Sequence, residues 1–186
     1  MKRVFDIVAS FTSFIILIIP MLIVMIFIRL TSKGNAIYWS KRVGQDGIIF
    51  MMPKFRSMRV ETPDVASHLV IDPEQYFSPI GKFLRQSSID ELPQLISIIK
   101  GDMSFVGPRP ALFNQHDLIK LRIEKGIDKL VPGVTGWAQV NGRDEITIKD
   151  KVGLDEEYIN HQSFWFDMRI LWLTIMKVIK RDGVSH

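Results

Sequence analysis

The stretch Ile7-Val8-Ala9-Ser10-Phe11-Thr12-Ser13-Phe14-Ile15-Ile16-Leu17-Ile18-Ile19-Pro20-Met21-Leu22-Ile23-Val24-Met25-Ile26-Phe27-Ile28 decides the architecture, because it carries no charged side chain. At helical rise its about 22 residues reach across a hydrocarbon core of roughly 30 Å. A cleaved signal peptide does not fit: the run is too long, and no small-x-small site precedes Arg29-Leu30-Thr31-Ser32-Lys33. A spanning helix and a re-entrant one remain. Pro20 near the centre removes a backbone hydrogen bond and is expected to bend the helix sharply. Lys2 and Arg3 precede the run, and Arg29, Lys33, Lys41 and Arg42 follow it, so positive charge does not select one cytoplasmic end. Two cytosolic ends satisfy that pattern. Prolines also occur in ordinary spans, and the residues alone leave both readings open. A buried soluble helix would need protein on every side.

Outward from this run, the 186 residues fall within the usual size of one domain, and a 47% apolar composition suffices for a core. The expected organisation is a membrane element at 1–33 and a cytosolic, membrane-associated catalytic domain at 34–186. A net charge of +4 fits an anionic partner such as a phospholipid surface, a nucleotide or a nucleic acid. No basic stripe interleaved with aromatics marks a nucleic-acid motif, so no nucleic-acid partner is expected. The absence of cysteine excludes disulfides, a thiolate nucleophile and a cysteine-based zinc site. His68, His116, His161 and His186 show no metal-ligand spacing.

The pattern predicts a mainly α fold with a short β-hairpin, an α+β chain with interfacial amphipathic helices. Residues 36–39 and 48–52, separated by Gly44-Gln45-Asp46-Gly47, read as the hairpin. Residues 61–79 read as a loop with one helical turn, and 80–84 and 92–99 as helices. Ser88 with Glu91 three residues on is a capping-box pattern, and it puts Asp90 in a first helical turn whose positive end would keep it ionised. Residues 114–125 suit a polar helix, 131–136 a turn-rich connector and 137–141 an extended segment. Residues 165–181 place tryptophan, Lys and Arg on one amphipathic helix, which suits a membrane interface and equally a core-packing helix with a solvated face.

Chemistry concentrates at Asp90-Glu91 and at Gly107-Pro108-Arg109-Pro110. A carboxylate can be a nucleophile, a base or a Mg²⁺ ligand, and two in succession can divide those tasks. Taken alone, such a pair also suits a solvated helix start. Prolines on either side pre-set the backbone of Arg109, where a guanidinium can make two parallel hydrogen bonds to phosphate; a structural turn with a local ion pair is the competing reading. Arg143, after Asn141-Gly142, is a second candidate anion contact, and Asp167 beside Trp165 and Phe166 is a lone acid in an apolar setting. No Gly-rich phosphate loop, Gly-x-Ser-x-Gly elbow or His-Glu-x-x-His pair is present.

The order of motifs resembles the bacterial sugar transferases, the small monotopic phosphoglycosyl transferases. The resemblance rests on Lys2-Arg3-Val4-Phe5-Asp6, the Pro20 segment, Lys54-Phe55-Arg56-Ser57-Met58, Ser88-Ile89-Asp90-Glu91-Leu92-Pro93-Gln94, Lys100 through Pro110, and Pro132 through Arg143. It implies transfer of a sugar 1-phosphate from a UDP-sugar to polyprenyl (undecaprenyl) phosphate, releasing UMP through a covalent aspartyl-phosphosugar, as the first membrane step of bacterial glycoconjugate assembly. Asp90 would be the nucleophile, and Glu91 would help bind Mg²⁺ or move protons, both carboxylates being candidate metal ligands. Arg109 would hold phosphate, with Arg143 and Asp167 at substrate-site positions. The resemblance also implies a re-entrant helix, an inner-membrane location with the catalytic domain on the cytosolic face, contact with membrane lipids, and downstream glycosyltransferases as further partners.

Two positions depart from the family pattern. Ile19 stands where Ser often precedes the membrane proline, which removes a helix-breaking contact, and Ser40 stands where Gln is frequent. The short C-terminus leads to the expectation of a minimal catalytic unit. A different class, a non-catalytic surface module that binds anionic lipid or a protein partner, is the alternative that the basic face permits.

Overall fold

The apolar run folds as part of one continuous α-helix, α1 (Lys2–Thr31), and Pro20 lies inside it without ending it. The computed structural model describes residues 1–63, 72–142 and 146–180. At 30 residues, α1 is about 45 Å long. One stripe of it, at the three-and-four spacing of a helix face, rests on the rest of the chain: Asp6, Ser10, Met21 and Ile28 are buried, with Phe14, Leu17, Val24 and Met25 packed beside them. The remainder of its surface is exposed and apolar, including Val8, Phe11, Ile15, Ile19, Leu22 and Ile26. Water does not stabilise such a face; hydrocarbon does.

Charged residues at the start of α1 tie it down. Arg3 donates to the carbonyls of Ile98 and Ile99 at 2.6 and 2.9 Å, capping the last turn of α3 (Leu95–Lys100), where a cation is favoured. Asp6 Oδ1 accepts the amide of Phe105 at 3.1 Å. At the other end Ile28 is fully buried among Ala36, Phe55 and Leu84. Both ends of α1 therefore meet the same folded body.

The hairpin joins β1 (Ile37–Val43) to β2 (Ile49–Phe55), antiparallel, with Tyr38 opposite Lys54. Its strands run longer than the sequence pattern suggests, because Arg42 and Val43 continue the ladder and bond onward to the segment at Ala111 and Leu112. The loop expected over 61–79 contains one short turn, Pro73–Tyr76, in its described part. Helix α2 (Gly81–Gln86) leads into a tight 3₁₀ turn, Ile89–Gln94, and then α3.

A second, parallel pair consists of β3 (Ser104–Val106) and β4 (Gly133–Thr135), so the connector expected to be mere turn forms a strand. The two segments approach so closely that a Cβ on Gly133 would sit 2.1 Å from the amide nitrogen of Gly107. Between them lies α4 (His116–Glu124). Residues 137–141 are not extended: α5 (Trp137–Asn141) is a helical turn closed by the Val140 amide on the Gly136 carbonyl at 3.1 Å, with Trp137 packed on Phe166. Tertiary packing overrides the β propensity of Trp and Val there. Helix α6 (Ile148–His161) starts at Thr147, whose side chain accepts from the Asp150 amide, and the sequence reading did not anticipate it.

Helix α7 (Phe164–Lys180) packs one face on the core and leaves the other exposed. Ile170 is fully buried with Phe166, Leu171 and Leu173 around Val106 and Tyr158, while Trp165, Trp172, Ile175, Val178 and Ile179 are exposed. Arg181 lies outside the described residues.

Candidate active site

Asp90 and Glu91 project from the 3₁₀ turn Ile89–Gln94. Ser88 enters that turn with φ at 56°, in the left-handed region that costs a non-glycine residue of order 1–3 kcal/mol. Such strain persists where surrounding structure enforces it, here β2, against which the turn packs. The capping box expected from Ser88 and Glu91 does not form: Ser88 makes no side-chain cap. Glu91 Oε1 accepts instead from Lys54 Nζ at 2.9 Å and from Arg109 Nη2 at 3.0 Å. Two bonds to full positive charges in a half-enclosed site outweigh one bond to a backbone amide.

Lys54 joins this candidate site through Glu91, and the sequence reading did not name it as a site residue. It is the only basic residue of a strand that otherwise reads Ile-Phe-Met-Met-Pro-Phe, and its side chain is 14% exposed. A lone charge on an inward strand position was the available signal. Burial lowers its pKa from the ordinary lysine value, and Glu91 opposes that shift.

Asp90 is 6% exposed, and its carboxylate makes no hydrogen bond or ion pair among the described residues. Burial raises its pKa, with Glu91 adding to the rise and Lys54, Arg85 and Arg109 opposing it. Burial, not the end of a helix, is the largest influence on this carboxyl. Three cations thus face two carboxylates, a balance that suits an incoming diphosphate.

Asp167, also a candidate for this site, bonds to Lys2 and Tyr158. Its Oδ2 pairs with Lys2 Nζ at 2.6 Å and its Oδ1 accepts from Tyr158 Oη at 2.7 Å, while Lys2 also reaches the Val106 carbonyl at 2.8 Å. Burial, then the bond to Asp167, pushes the Tyr158 hydroxyl pKa upward. The structure therefore places Asp167 in the network that fastens the start of α1 to β3, α6 and α7. Arg143, the second candidate anion contact, lies outside the described residues.

No cluster of three or more His, Cys, Asp or Glu suited to a metal occurs among the described residues. Mg²⁺ does not require one, since it takes one or two carboxylates together with substrate phosphates and water. A buried, uncommitted Asp90 oxygen pair beside Glu91 is a hard donor set of that kind.

The family model described as bacterial sugar transferase matches residues 1–181. The chain is 38% identical over 188 residues to an uncharacterized sugar transferase, EpsL, of Bacillus subtilis (strain 168), covering 100% of this chain and 91% of the relative. It is 39% identical over 185 residues to the UDP-glucose:undecaprenyl-phosphate glucose-1-phosphate transferase of Escherichia coli (strain K12), covering 95% of this chain and 40% of that protein. It is 35% identical over 202 residues to the undecaprenyl-phosphate galactose phosphotransferase of Salmonella typhimurium (strain LT2), covering 98% and 41%. The chain thus spans about two fifths of the length of the latter two relatives. With the match running from the first residue to residue 181, through the acidic pair and the Pro-flanked arginine, the chain belongs to the bacterial sugar transferase family.

Proposed function

We propose that the chain transfers a sugar 1-phosphate from a UDP-sugar to polyprenyl phosphate, with Asp90 as nucleophile. The observation that carries this reading is the contrast inside the acidic pair: Glu91 is fixed by Lys54 and Arg109, while Asp90 is buried without a partner among the described residues. A carboxylate that no hydrogen bond or ion pair among the described residues holds is the better nucleophile of the two.

In the first step an Asp90 carboxylate oxygen bonds to the sugar-proximal phosphorus, the bond from that phosphorus to the bridging oxygen breaks, and UMP departs with the electron pair. In the second, an oxygen of the lipid phosphate attacks the same phosphorus and the Asp90 carboxylate is regenerated. Lys54 and Arg109 hold Glu91 and present positive charge to the diphosphate; Arg143 is proposed as a further phosphate contact. Charge neutralisation and alignment are the main requirements of phosphoryl transfer. Asp90 and Glu91 would hold Mg²⁺, which when bound adds positive charge beside the diphosphate.

The same proposal places α1 in the membrane as a re-entrant element. Support comes from its contacts: a helix whose two ends and middle all rest on one body, with its other faces apolar, is accommodated by entering one leaflet side by side with that body. The exposed Trp165, Trp172 and Ile179 of α7 would lie at the interface. The inner membrane and its cytosolic face follow from the proposed substrates, as do downstream glycosyltransferases as users of the product.

The test is nucleotide release. Purified protein with Mg²⁺, polyprenyl phosphate and a panel of UDP-sugars should release UMP from at least one donor, and with donor alone its intact mass should rise by one phosphosugar. Absence of UMP release from every donor would reject the reading.

A further inference from the structure

The Pro108-Arg109-Pro110 run has two residues without an amide hydrogen, so its backbone is held chiefly through carbonyl oxygens. All three are occupied, each from a different element. Pro108 O accepts the Gly133 amide of β4 at 2.9 Å, Arg109 O accepts Arg122 Nη1 of α4 at 2.7 Å, and Pro110 O accepts Arg42 Nη1 of β1 at 3.0 Å. Arg109 is consequently fixed at both ends, by its carbonyl on one side and by the Glu91 contact of its guanidinium on the other.

Of these three holders, Arg122 is itself forked onto a buried carboxylate. Its Nε and Nη2 both donate to Asp155 Oδ2 of α6, at 3.1 and 2.7 Å, and the two residues are 8% and 1% exposed. Only a planar guanidinium supplies two donors to one carboxylate oxygen and a third to a carbonyl elsewhere; an ammonium cannot reproduce that fork.

We infer that Arg122, oriented by Asp155, is a positioning residue for Arg109: it sets the aim of the guanidinium that meets the donor diphosphate, and does not touch substrate itself. This rests on the transferase reading above. Loss of the clamp leaves the Arg109 side chain present but less well aimed, and misplacement by about 1 Å can cost up to roughly a hundredfold in rate.

The experiment is a double-mutant cycle on the full chain, measured as kcat/KM for whichever UDP-sugar the wild type uses, with Tm recorded for each variant. Arg122→Lys should lower kcat/KM about tenfold, mostly through KM, in the wild-type background, and less than twofold in the Arg109→Ala background. An equal loss in both backgrounds, or no loss in either, would overturn the inference. If Arg122→Lys does not fold, Asp155→Glu, which keeps the charge pair and shifts its geometry, takes its place with the same expected cycle. Failure of both to fold would assign the pair to the core alone and also overturn it. A wild type that releases no nucleotide from any UDP-sugar defeats the transferase reading instead, and this role falls with it.

Discussion

Arg109 Nη2 lies 3.0 Å from Glu91 Oε1, joining the Pro-flanked arginine to the acidic pair across 18 residues of chain. The contact separates two carboxylates that the sequence presents as equivalent neighbours. Glu91 becomes the paired, charge-holding member and Asp90 the buried one, unpaired among the described residues. Both readings of Arg109, local ion pair and phosphate contact, are compatible with this geometry, because a guanidinium has five donors.

Asp90→Asn is expected to abolish UMP release and the phosphosugar mass shift while raising stability. The pKa of Asp90 is raised by burial, so the folded state binds more protons than the unfolded one above the ordinary value of 3.8, and its stability falls as pH rises through the folded pKa. The amide removes that cost. A Tm gain of about 2–4 °C at neutral pH, vanishing below pH 3.8, should appear in thermal melts; a lower Tm at neutral pH would contradict it.

Lys54→Met should reduce kcat/KM by about a hundredfold, since it removes a cation paired with Glu91 and one positive charge facing the diphosphate. In the wild type the sign with pH is opposite for activity and for stability. Burial lowers the Lys54 pKa, so the unfolded state binds more protons between the folded value and 10.5; stability rises with pH there as the charge that supports activity is lost. A pH–rate profile with its alkaline limb absent in Lys54→Arg would check the assignment.

Gly133→Ala should destabilise the chain by about 2 kcal/mol or more, because the new methyl meets the Gly107 backbone at 2.1 Å and forces β3 and β4 apart. Activity should fall together with stability, as the Gly133 amide also holds the Pro108 carbonyl. Parallel chemical denaturation and nucleotide-release measurements would reveal an unaltered protein if the approach is looser than described.

Replacing Trp172 and Ile179 by Asp should weaken binding to anionic liposomes by about tenfold or more without lowering Tm, since both side chains are exposed and leave the Ile170 core face intact. Co-sedimentation with vesicles provides the measurement. Unchanged binding would remove α7 from the proposed interface.

The apolar run, the hairpin, and helices such as α4 and α7 were legible because periodicity and turn residues are local signals. The family resemblance was legible for a similar reason, as its motifs are contiguous. Residues 137–141 misled because a single helical turn is decided by what Trp137 packs against, Phe166, and not by its own propensity. The Ser88 capping box misled because the partners of Glu91 come from 37 and 18 residues away.

Sequence alone determined the chemical inventory: a charge-free apolar run, an acidic pair and a proline-flanked arginine in one basic chain without cysteine. Which carboxylate pairs with Arg109, that Lys54 belongs with them and that Asp167 pairs with Lys2 of α1 were decided only by the tertiary structure. The physical reason is that ion pairing and desolvation depend on distances of a few ångströms between segments remote in the chain, and no local pattern encodes those distances.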